Sequence, residues 1–331
     1  MNSFGRIFRV HIFGESHGES VGIVVDGCPA GLLLKAEDFL PDLERRKGGT
    51  QKGTTPRQEE DLPIFKSGIF NDSTTGAPIT ILFENKNIRS ADYERQRAVP
   101  RPGHADFVAD KKFGGFEDFR GSGHFSGRLT VALVAAGVIA KKISAQIKIT
   151  SAILEIGGEK NPDKGLQKAI DNKDTIGGII ECRATGLPVG LGEPFFDSVE
   201  SLLSHIVFAI PAVRGIEFGT GFAAAKMFGS EHNDAIEDMS GKTRTNHAGG
   251  IVGGLTNSNE LVFRIAIKPT SSTPKEQRTL NWETEKVETI SVKGRHDLCI
   301  ALRVPVILEA VTAIILADLL MQEQYIKRVL P

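Results

Sequence analysis

Two segments of the sequence predict long helices: SGRLTVALVAAGVIAKKISAQI at residues 126–147 and VILEAVTAIILADLLMQEQ at residues 306–324. Each segment is hydrophobic on nearly every side of a helical projection. A helix of that kind is buried between other layers of a protein, because a surface helix needs a polar face. Glu309 and Asp318 interrupt the second segment, so we expect a core helix there and not a membrane span.

Predicted strands lie before the first of these helices and between the two helices. Alternating or β-branched runs are typical of strands, and they lie at residues 7–13, 21–25, 64–70, 79–83, 147–156, 178–184 and 261–267. The chain therefore mixes the two kinds of structure, with several strands available to cover the apolar helices.

One arrangement, a strand followed by a GxPxGL turn and an amphipathic helix, occurs twice. The two copies are VVDGCPAGLLLKAEDFLPDL at residues 24–43 and ECRATGLPVGLGEPFFDSVESLL at residues 181–203. Proline and glycine at these spacings form a rigid turn at the exit of a strand. Either the chain contains an internal duplication of a strand–helix unit, or a common turn occurs twice. Pro41 falls inside the first predicted helix, which is an unfavourable interior position for proline.

Composition excludes several classes of protein. The 331 residues carry 24% charged and 40% hydrophobic side chains and a net charge of −1, which is globular and argues against a nucleic-acid binder. The three cysteines form no CxxC pair, and no metal-binding motif occurs, so we expect neither disulfides nor a metal site. The N-terminus lacks a signal-peptide pattern. We expect a soluble, cytoplasmic protein.

Basic residues gather in four glycine-rich stretches, and histidine or serine lies near each. The clusters are Arg45, Arg46, Lys47 and Lys52; Arg95, Arg97 and Arg101; Arg120 and Arg128; and Lys293 and Arg295. Arginine suits phosphate and carboxylate, and glycine allows backbone N–H groups to approach the same oxygens. Any single cluster could be an ordinary solvated face. If the four converge, they predict a pocket for a small ligand with several negative charges.

Three histidines in polar loops, His17, His104 and His296, are candidates for proton transfer because histidine titrates near neutral pH. Asp297, beside His296, is a candidate base. Both residue types also have ordinary structural roles, as hydrogen-bonding groups or loop ion pairs, and these alternatives stay open.

The segment GESHG at residues 14–18 has the form of the nucleophile elbow of serine hydrolases. That elbow must be followed by a helix. Here Val21–Val25 predicts a strand instead, so GESHG is interpreted as a turn between two strands that presents Ser16 and His17. A serine hydrolase using Ser16 is the main alternative function, and a non-catalytic flavin or nucleotide-phosphate binder is a further one.

Five motifs occur together in the order typical of the chorismate synthase family, and the resemblance covers nearly the whole chain. They are GESHG at 14–18, RPGHAD at 101–106, NHAGG at 246–250, KPTSS at 268–272 and GRHD at 294–297. The resemblance implies a single α+β domain over residues 1–331, built as a β-α-β sandwich with long helices between antiparallel sheets, and a homotetramer. It also implies a lyase that eliminates phosphate from 5-enolpyruvylshikimate 3-phosphate to give chorismate, with reduced FMN.

The resemblance further assigns roles to individual residues. Proton transfer falls to His17, His104 and Asp297. Positions matching substrate-binding residues are Ser16, Arg46, Lys52, Arg101, Arg128 and Arg295. Positions matching flavin-binding residues are His124, Phe125, Ser126, Pro211, Ala212, Gly253, Lys268, Pro269, Thr270, Ser271, Ser272 and Arg295. Lys52 stands where the family commonly has arginine, and His124–Phe125 stands where it commonly has Arg–Ser.

Some family members also reduce flavin with NADPH. The sequence contains neither a GxGxxG dinucleotide fingerprint nor a phosphate-binding GxxxxGK[ST] loop. We therefore expect this chain to depend on an external flavin reductase or another source of reduced flavin.

Overall fold

A computed structural model describes residues 2–49, 51–88, 97–292 and 294–330. Seven α-helices occur in these ranges: α1 Leu40–Arg46, α2 Asp106–Phe113, α3 Thr130–Ile143, α4 Pro162–Asp171, α5 Val199–Val207, α6 Gly229–His232 and α7 Val304–Gln322. The strands are β1 Ser3–Phe4, β2 Arg9–Gly14, β3 Ser20–Asp26, β4 Ile64–Ser67, β5 Ile69–Phe70, β6 Ser73–Thr74, β7 Ile79–Glu84, β8 Lys148–Ile156, β9 Gly178–Thr185, β10 Val213–Phe218, β11 Ile251–Val252, β12 Leu255–Thr256, β13 Leu261–Ile267, β14 Gln277–Asn281 and β15 Lys286–Ile290.

Two antiparallel sheets form the outer layers. The first has the strand order β1-β2-β3-β7-β4, and the second has the order β10-β13-β9-β8. Hydrophobic side chains alternate along the central strands, as in β7, where Ile79, Ile81 and Phe83 are fully buried. Because the alternation has a period of two residues, one face of each sheet is hydrophobic and packs on the core.

Helices α3 and α7 lie between the sheets. Helix α3 packs on β3 and β7, α7 packs on β8 and β9, and the two helices pack against each other. At their contact, a Cβ atom on Gly137 would lie 2.3 Å from Cβ of Ala310, so this close approach requires glycine. The helical segments Arg120–Ile143 and Ile300–Gln322, which end with α3 and α7, are long and apolar enough to cross a membrane, but 78% and 94% of their most apolar stretches are buried inside the protein. They occupy the middle layer of the predicted β-α-β sandwich.

The internal repeat is confirmed, and it extends beyond the two GxPxGL turns. The strand order β2-β3-β7-β4 followed by α3 matches the order β8-β9-β13-β10 followed by α7. In the first half Thr74 Oγ1 accepts from the Leu32 N–H at 2.9 Å and donates to the Pro29 carbonyl at 2.6 Å. Thr256 makes the same two bonds at the same distances in the second half.

Several element boundaries differ from the sequence predictions, and three of the differences have a structural explanation. The helix predicted from residue 126 begins with a 3₁₀ turn, Gly127–Leu129, before α3. The helix predicted within 24–43 is a 3₁₀ turn, Ala36–Phe39, and α1 follows with Pro41 in its first turn. Proline fits there because the first N–H groups of a helix have no partner within it. The strand predicted at 64–70 divides at Gly68, whose φ is +82°.

Asp318 anchors the N-terminal segment to the end of α7. Its carboxylate, 2% exposed, accepts hydrogen bonds from the backbone N–H groups of Arg6, Ile7 and Phe8 at 2.7–2.9 Å. We expect Asp318→Ala to lower the free energy of unfolding by about 3 kcal/mol, because it leaves buried donors unsatisfied. Urea unfolding measures this loss. The exposed Glu323→Ala is the control, and equal stability of the two variants would contradict the anchoring role.

Candidate active site

The main cavity lies where α3 and α7 begin and has a volume of about 400 Å³. Its wall includes Arg128 and Thr130 at the start of α3, and Arg303 and Val304 at the start of α7. The N-terminus of a helix carries partial positive charge and N–H groups without partners in the helix, so two such ends favour an anion. The fold itself therefore makes this cavity electropositive.

Charged side chains strengthen that field. Eight lysine and arginine residues line the cavity against three acidic residues, Glu59, Asp61 and Asp297. The cations are Arg46, Lys47, Arg57, Arg101, Arg128, Lys268, Arg295 and Arg303. Each of the four predicted basic clusters contributes at least one residue to the cavity lining. The prediction that the clusters converge is therefore confirmed. A small ligand with several negative charges fits this wall.

Not every member of those clusters faces the cavity. Arg45 instead makes a bidentate ion pair with the buried Glu309, with both N–O distances at 2.7 Å. Arg120 pairs with Asp118 at 2.8 Å. Arg95 and Lys293 lie outside the described residues. The ion pairs of Arg45 and Arg120 are of the ordinary structural kind.

Asp61 holds two of the cavity arginines in place. Its carboxylate, without exposed side-chain surface, pairs with Arg46 at 2.5 Å and with Arg128. Burial alone would raise the pKa of Asp61, but the charges of Arg46 and Arg128 outweigh it and keep the pKa below its ordinary value. One carboxylate neutralises one of the two arginines, so this group keeps a net positive charge for a ligand.

Two buried polar atoms on the cavity wall have no hydrogen-bond partner among the described residues. They are Nε of Arg46 and Oγ1 of Thr270, which lie in different parts of the wall. Buried polar groups are nearly always paired in folded proteins, with protein, water or ligand. Both atoms are therefore suited to meet polar groups of bound molecules.

The GESHG segment is the turn between the paired strands β2 and β3, as predicted. The Asn85 side chain stabilises this turn by donating hydrogen bonds to the carbonyls of Glu15 and Gly18. The side-chain carbonyl of Asn85 accepts from Nε of Arg128 at 2.9 Å. Ser16 lines the cavity, and its Oγ accepts from Arg57 at 3.1 Å. The absence of a helix directly after the turn removes the nucleophile elbow on which the serine hydrolase alternative rests.

His17 lies just behind the cavity wall. It is 4% exposed, and its ring packs on Gly121, where a Cβ atom would come within 2.1 Å of Nδ1. Burial and then the positive charge of Arg57 lower the pKa of His17 below 6.5. The ring is therefore neutral at pH 7 in the ligand-free protein.

This environment gives a testable titration. We expect the NMR titration midpoint of His17 to lie below 6.5, and to rise when inorganic phosphate binds, because an anion stabilises the protonated ring. Below about pH 6.5 the unfolded chain binds more protons at this residue than the native state, so His17 destabilises the fold there and has no such effect at higher pH. The variant Arg57→Gln should raise the midpoint. An ordinary midpoint that phosphate leaves unchanged would contradict this account.

His104 stands between a carboxylate and a hydroxyl. Its Nδ1 lies 2.6 Å from Oδ1 of Asp106, and its Nε2 lies 3.1 Å from Oγ of Ser122. Arg101 binds Asp106 with two nitrogens, at 2.8 and 2.7 Å, and also donates to Ser122 and Ser272. Most of the donors of Arg101 are thus already engaged within the protein, and they fix the surroundings of His104.

Asp297 and Arg295 lie together on another loop that lines the cavity. Oδ1 of Asp297 accepts from the Thr55 N–H at 2.8 Å, and Oδ2 pairs with Arg303 at 3.1 Å. Arg295 donates to Oδ1 of Asn87 at 2.7 Å, a neutral partner that leaves its charge uncompensated within that contact. Asp297 is therefore a fixed carboxylate on the cavity wall. It also forms a loop ion pair, which was the structural alternative to its role as a base.

Most of the sequence-predicted site residues line this one cavity, and four do not, one of them His17, which lies behind the wall as described above. The lining contains Phe125, Ser126, Pro211, Ala212 and all five residues of 268–272, besides the residues described above. Lys52 instead contacts Gln167, at 3.3 Å. His124 turns away to the Gly14 carbonyl and Asn2, and Gly253 is exposed in the β11–β12 turn.

Several residues of the site were missed by the sequence interpretation: Arg57, Asp61, Asp106, Ser122 and Arg303. Asp106 belongs to the quoted RPGHAD motif, and its spacing of two from His104 was an available signal. Asp61 and Arg303 carried no signal of that kind, because their partners lie at distant positions of the chain.

Residues 8–321 match the family model described as chorismate synthase. This chain belongs to the chorismate synthase family. It is 69% identical over 330 residues to the chorismate synthase of Chitinophaga pinensis, covering 99% of both chains. It is 40% identical to that of Methanocaldococcus jannaschii, covering 98% of both. A crystal structure of chorismate synthase has the same fold, with a TM-score of 0.73 at 24% identity over 97% of this chain and 93% of that one.

Proposed function

We propose that the chain catalyses the elimination of phosphate from 5-enolpyruvylshikimate 3-phosphate to give chorismate, the chemistry for which its family is named. The observation that carries this proposal is the main cavity, where eight basic side chains and two helix N-termini surround Asp297 and His104. The substrate has one phosphate and two carboxylates, which suits that charge. A cavity of about 400 Å³ is also within the size range of small-molecule sites.

The substrate's anionic groups have specific partners in this proposal. Arg46 and Arg128, oriented by Asp61, bind one of them, and the Arg46 Nε atom supplies an available donor. Arg57 and Arg295 bind others, and Ser16 adds a hydroxyl. Lys52 and Arg101 remain candidates from the family resemblance. The side chain of Lys52 contacts Gln167 and would have to reorient to bind the substrate, so the support for Lys52 is weaker.

The family works with a reduced flavin, and we propose reduced FMN for this chain. The residues that would hold it are Phe125, Ser126, Pro211, Ala212 and the segment 268–272, all on the cavity wall. They fit a flavin because the wall combines apolar surface with the unpaired Oγ1 of Thr270 and the Lys268 ammonium. When bound, a reduced flavin supplies electron density to the breaking carbon–oxygen bond without net oxidation. His124 and Gly253 would reach it only after rearrangement.

Three residues move protons in the proposed reaction. Asp297, held by Thr55 and Arg303, accepts the proton that leaves the ring carbon. His17 donates a proton to the departing phosphate. Its lowered pKa makes the protonated ring a strong acid, and the arriving phosphate charge favours its protonation. His104 donates a proton on the flavin side of the cavity, and Asp106 stabilises its cation.

The wider context is also part of this proposal. We infer a single domain over residues 1–331, since one apolar cluster contains side chains of both sheets. We infer a homotetramer, supported by large exposed apolar side chains at Phe195, Phe196, Phe222 and Met239, which a partner surface would cover. The three buried thiols, Cys28, Cys182 and Cys299, suit the reducing cytoplasm. An external reductase supplies the reduced flavin.

An anaerobic assay tests the function. With photoreduced FMN, phosphate release and chorismate absorbance should both appear from 5-enolpyruvylshikimate 3-phosphate, and neither should appear with oxidised FMN. Labelling of Ser16 by a fluorophosphonate would favour the hydrolase alternative. Flavin binding without turnover of the phosphate substrate would favour the non-catalytic binder.

A further inference from the structure

Both ring nitrogens of His104 are engaged by protein side chains. Nδ1 faces the Asp106 carboxylate at 2.6 Å, and Nε2 faces the Ser122 hydroxyl at 3.1 Å. An ionised carboxylate only accepts hydrogen bonds, so Nδ1 carries a proton and donates it to Asp106. The nitrogen that exchanges protons is then Nε2, and its hydrogen-bond partner in the structure is Ser122.

Arg101 keeps the carboxylate that receives this proton ionised, and its own 3.1 Å contact with Nδ1 is longer than the 2.6 Å contact of Asp106. It binds both oxygens of Asp106, and its Nη2 lies 3.1 Å from Oγ of Ser122. Hydrogen bonds to Arg101 keep the pKa of Asp106 well below its ordinary value, although burial alone would raise it, so Asp106 stays ionised. Because arginine only donates, Ser122 must accept from Arg101, and its own hydrogen is free to point to Nε2 or into the cavity.

Ser122 adopts an unusual backbone conformation. Its φ is +73°, between Gly121 at +58° and Gly123 at +51°. Serine is strained in this left-handed region, which glycine adopts readily. The strained backbone brings the hydroxyl to His104 on one side and to the wall of the main cavity on the other. Strain of this kind is concentrated at functional sites.

We propose that Ser122 relays the proton between His104 and a ligand in the main cavity. This rests on the proposed role of His104 as an acid. In the relay, protonated Nε2 gives its proton to Oγ of Ser122 while the hydroxyl hydrogen of Ser122 passes to a nitrogen or oxygen of the ligand. His104 ends neutral with Nδ1–H retained, the serine hydroxyl is restored, and no other bond changes.

A second, smaller cavity of about 60 Å³ also borders this group. Its wall contains His104, Asp106 and Ser122, together with three further acids, Asp110, Glu117 and Asp118. Water entering this space would contact His104 directly, which gives the proposed relay a route for returning the proton to His104. The charged groups that face the His104 ring directly are Arg101 and Asp106.

The variant Ser122→Gly tests the relay, because glycine suits the φ of +73° and only the hydroxyl is lost. We expect anaerobic turnover to fall about 10²-fold with KM unchanged, as for the loss of a proton-transfer group. In the His104→Ala background the same change should have no further effect beyond about twofold, because the two residues act as one unit. In ¹⁵N NMR spectra of the flavin-free protein, the His104 Nε2 resonance should shift while Nδ1–H is retained.

Ser258→Gly is the matched control. Ser258 also has a left-handed φ, +68°, and its hydroxyl bonds to the Ser240 carbonyl, outside the cavity. If His104→Ala is inactive but Ser122→Gly and Ser258→Gly both turn over at the wild-type rate, His104 acts directly and the relay is wrong. If His104→Ala itself keeps full turnover, the role proposed for His104 is wrong and the relay with it. An independent loss from Ser122→Gly in the His104→Ala background would also overturn the relay.

Discussion

Asp297→Asn is expected to lower anaerobic turnover about 10³-fold while the protein stays folded. The carboxylate is the group proposed to accept the ring proton, and such groups contribute about 10²–10⁴-fold to rate. Asparagine has nearly the same shape, and its carbonyl can still accept from the Thr55 N–H, so the loop keeps that contact, while an NH2 group replaces the oxygen that pairs with Arg303. The loss should therefore appear in kcat, with KM changed much less.

Asp234→Asn is the matched control for this substitution. Asp234 also accepts from backbone N–H groups, those of His247 and Ala248, but it does not line the cavity. Thermal unfolding of both variants shows whether either one has lost its fold. A folded Asp297→Asn protein with turnover within about tenfold of wild type is incompatible with Asp297 as the base.

Asp61→Asn should lower the free energy of unfolding by about 3–5 kcal/mol, because it removes the carboxylate that pairs with both members of a buried, positively charged pair. Arg46 and Arg128 are 3% and 7% exposed, and water in the cavity carries no charge that could replace the lost carboxylate. The same change should strengthen binding of inorganic phosphate, since both arginines then seek an anion. Added phosphate should therefore restore more stability to the variant than to the wild-type protein.

Urea unfolding with and without phosphate measures both effects. Asp26→Asn is the control, because Asp26 pairs with Arg9 on the surface with 40% of its side chain exposed, and such pairs contribute about 0–1 kcal/mol. The lowered pKa of Asp61 means that its stabilising effect is complete above about pH 4 and is lost as the pH falls through the folded-state value. Equal stability of Asp61→Asn and Asp26→Asn would contradict the electrostatic role.

The layers of the fold were predictable from local pattern. Helices α3 and α7 are apolar all round because they touch protein on every side, and that property is visible in the sequence alone. The exact start of α3 was not predictable. Gly127, Arg128 and Leu129 form a 3₁₀ turn that the hydrophobic pattern does not distinguish from an α-helix.

Site residues whose partners are close in the sequence could be predicted, and those whose partners are distant in the sequence could not. His104, Asp106 and Arg101 are within five residues of one another, and the motif containing them was found. The Asp61–Arg128 pair joins positions 67 residues apart, and no spacing rule connects them. Lys52 and His124 show a converse limit, because a matching position in the chain does not fix the direction in which a side chain points.

The duplicated scaffold sets a limit on how this chain can be divided. Residues up to Ile143 form one sheet with its helix, and residues from Lys148 form the other, so each half resembles a unit that could be made separately. The chemistry is not divided in that way, because Arg128 and His104 come from one half while Asp297 and Lys268 come from the other. Two fragments separated between α3 and β8 would each lack half of the catalytic wall, and activity would require them to reassemble.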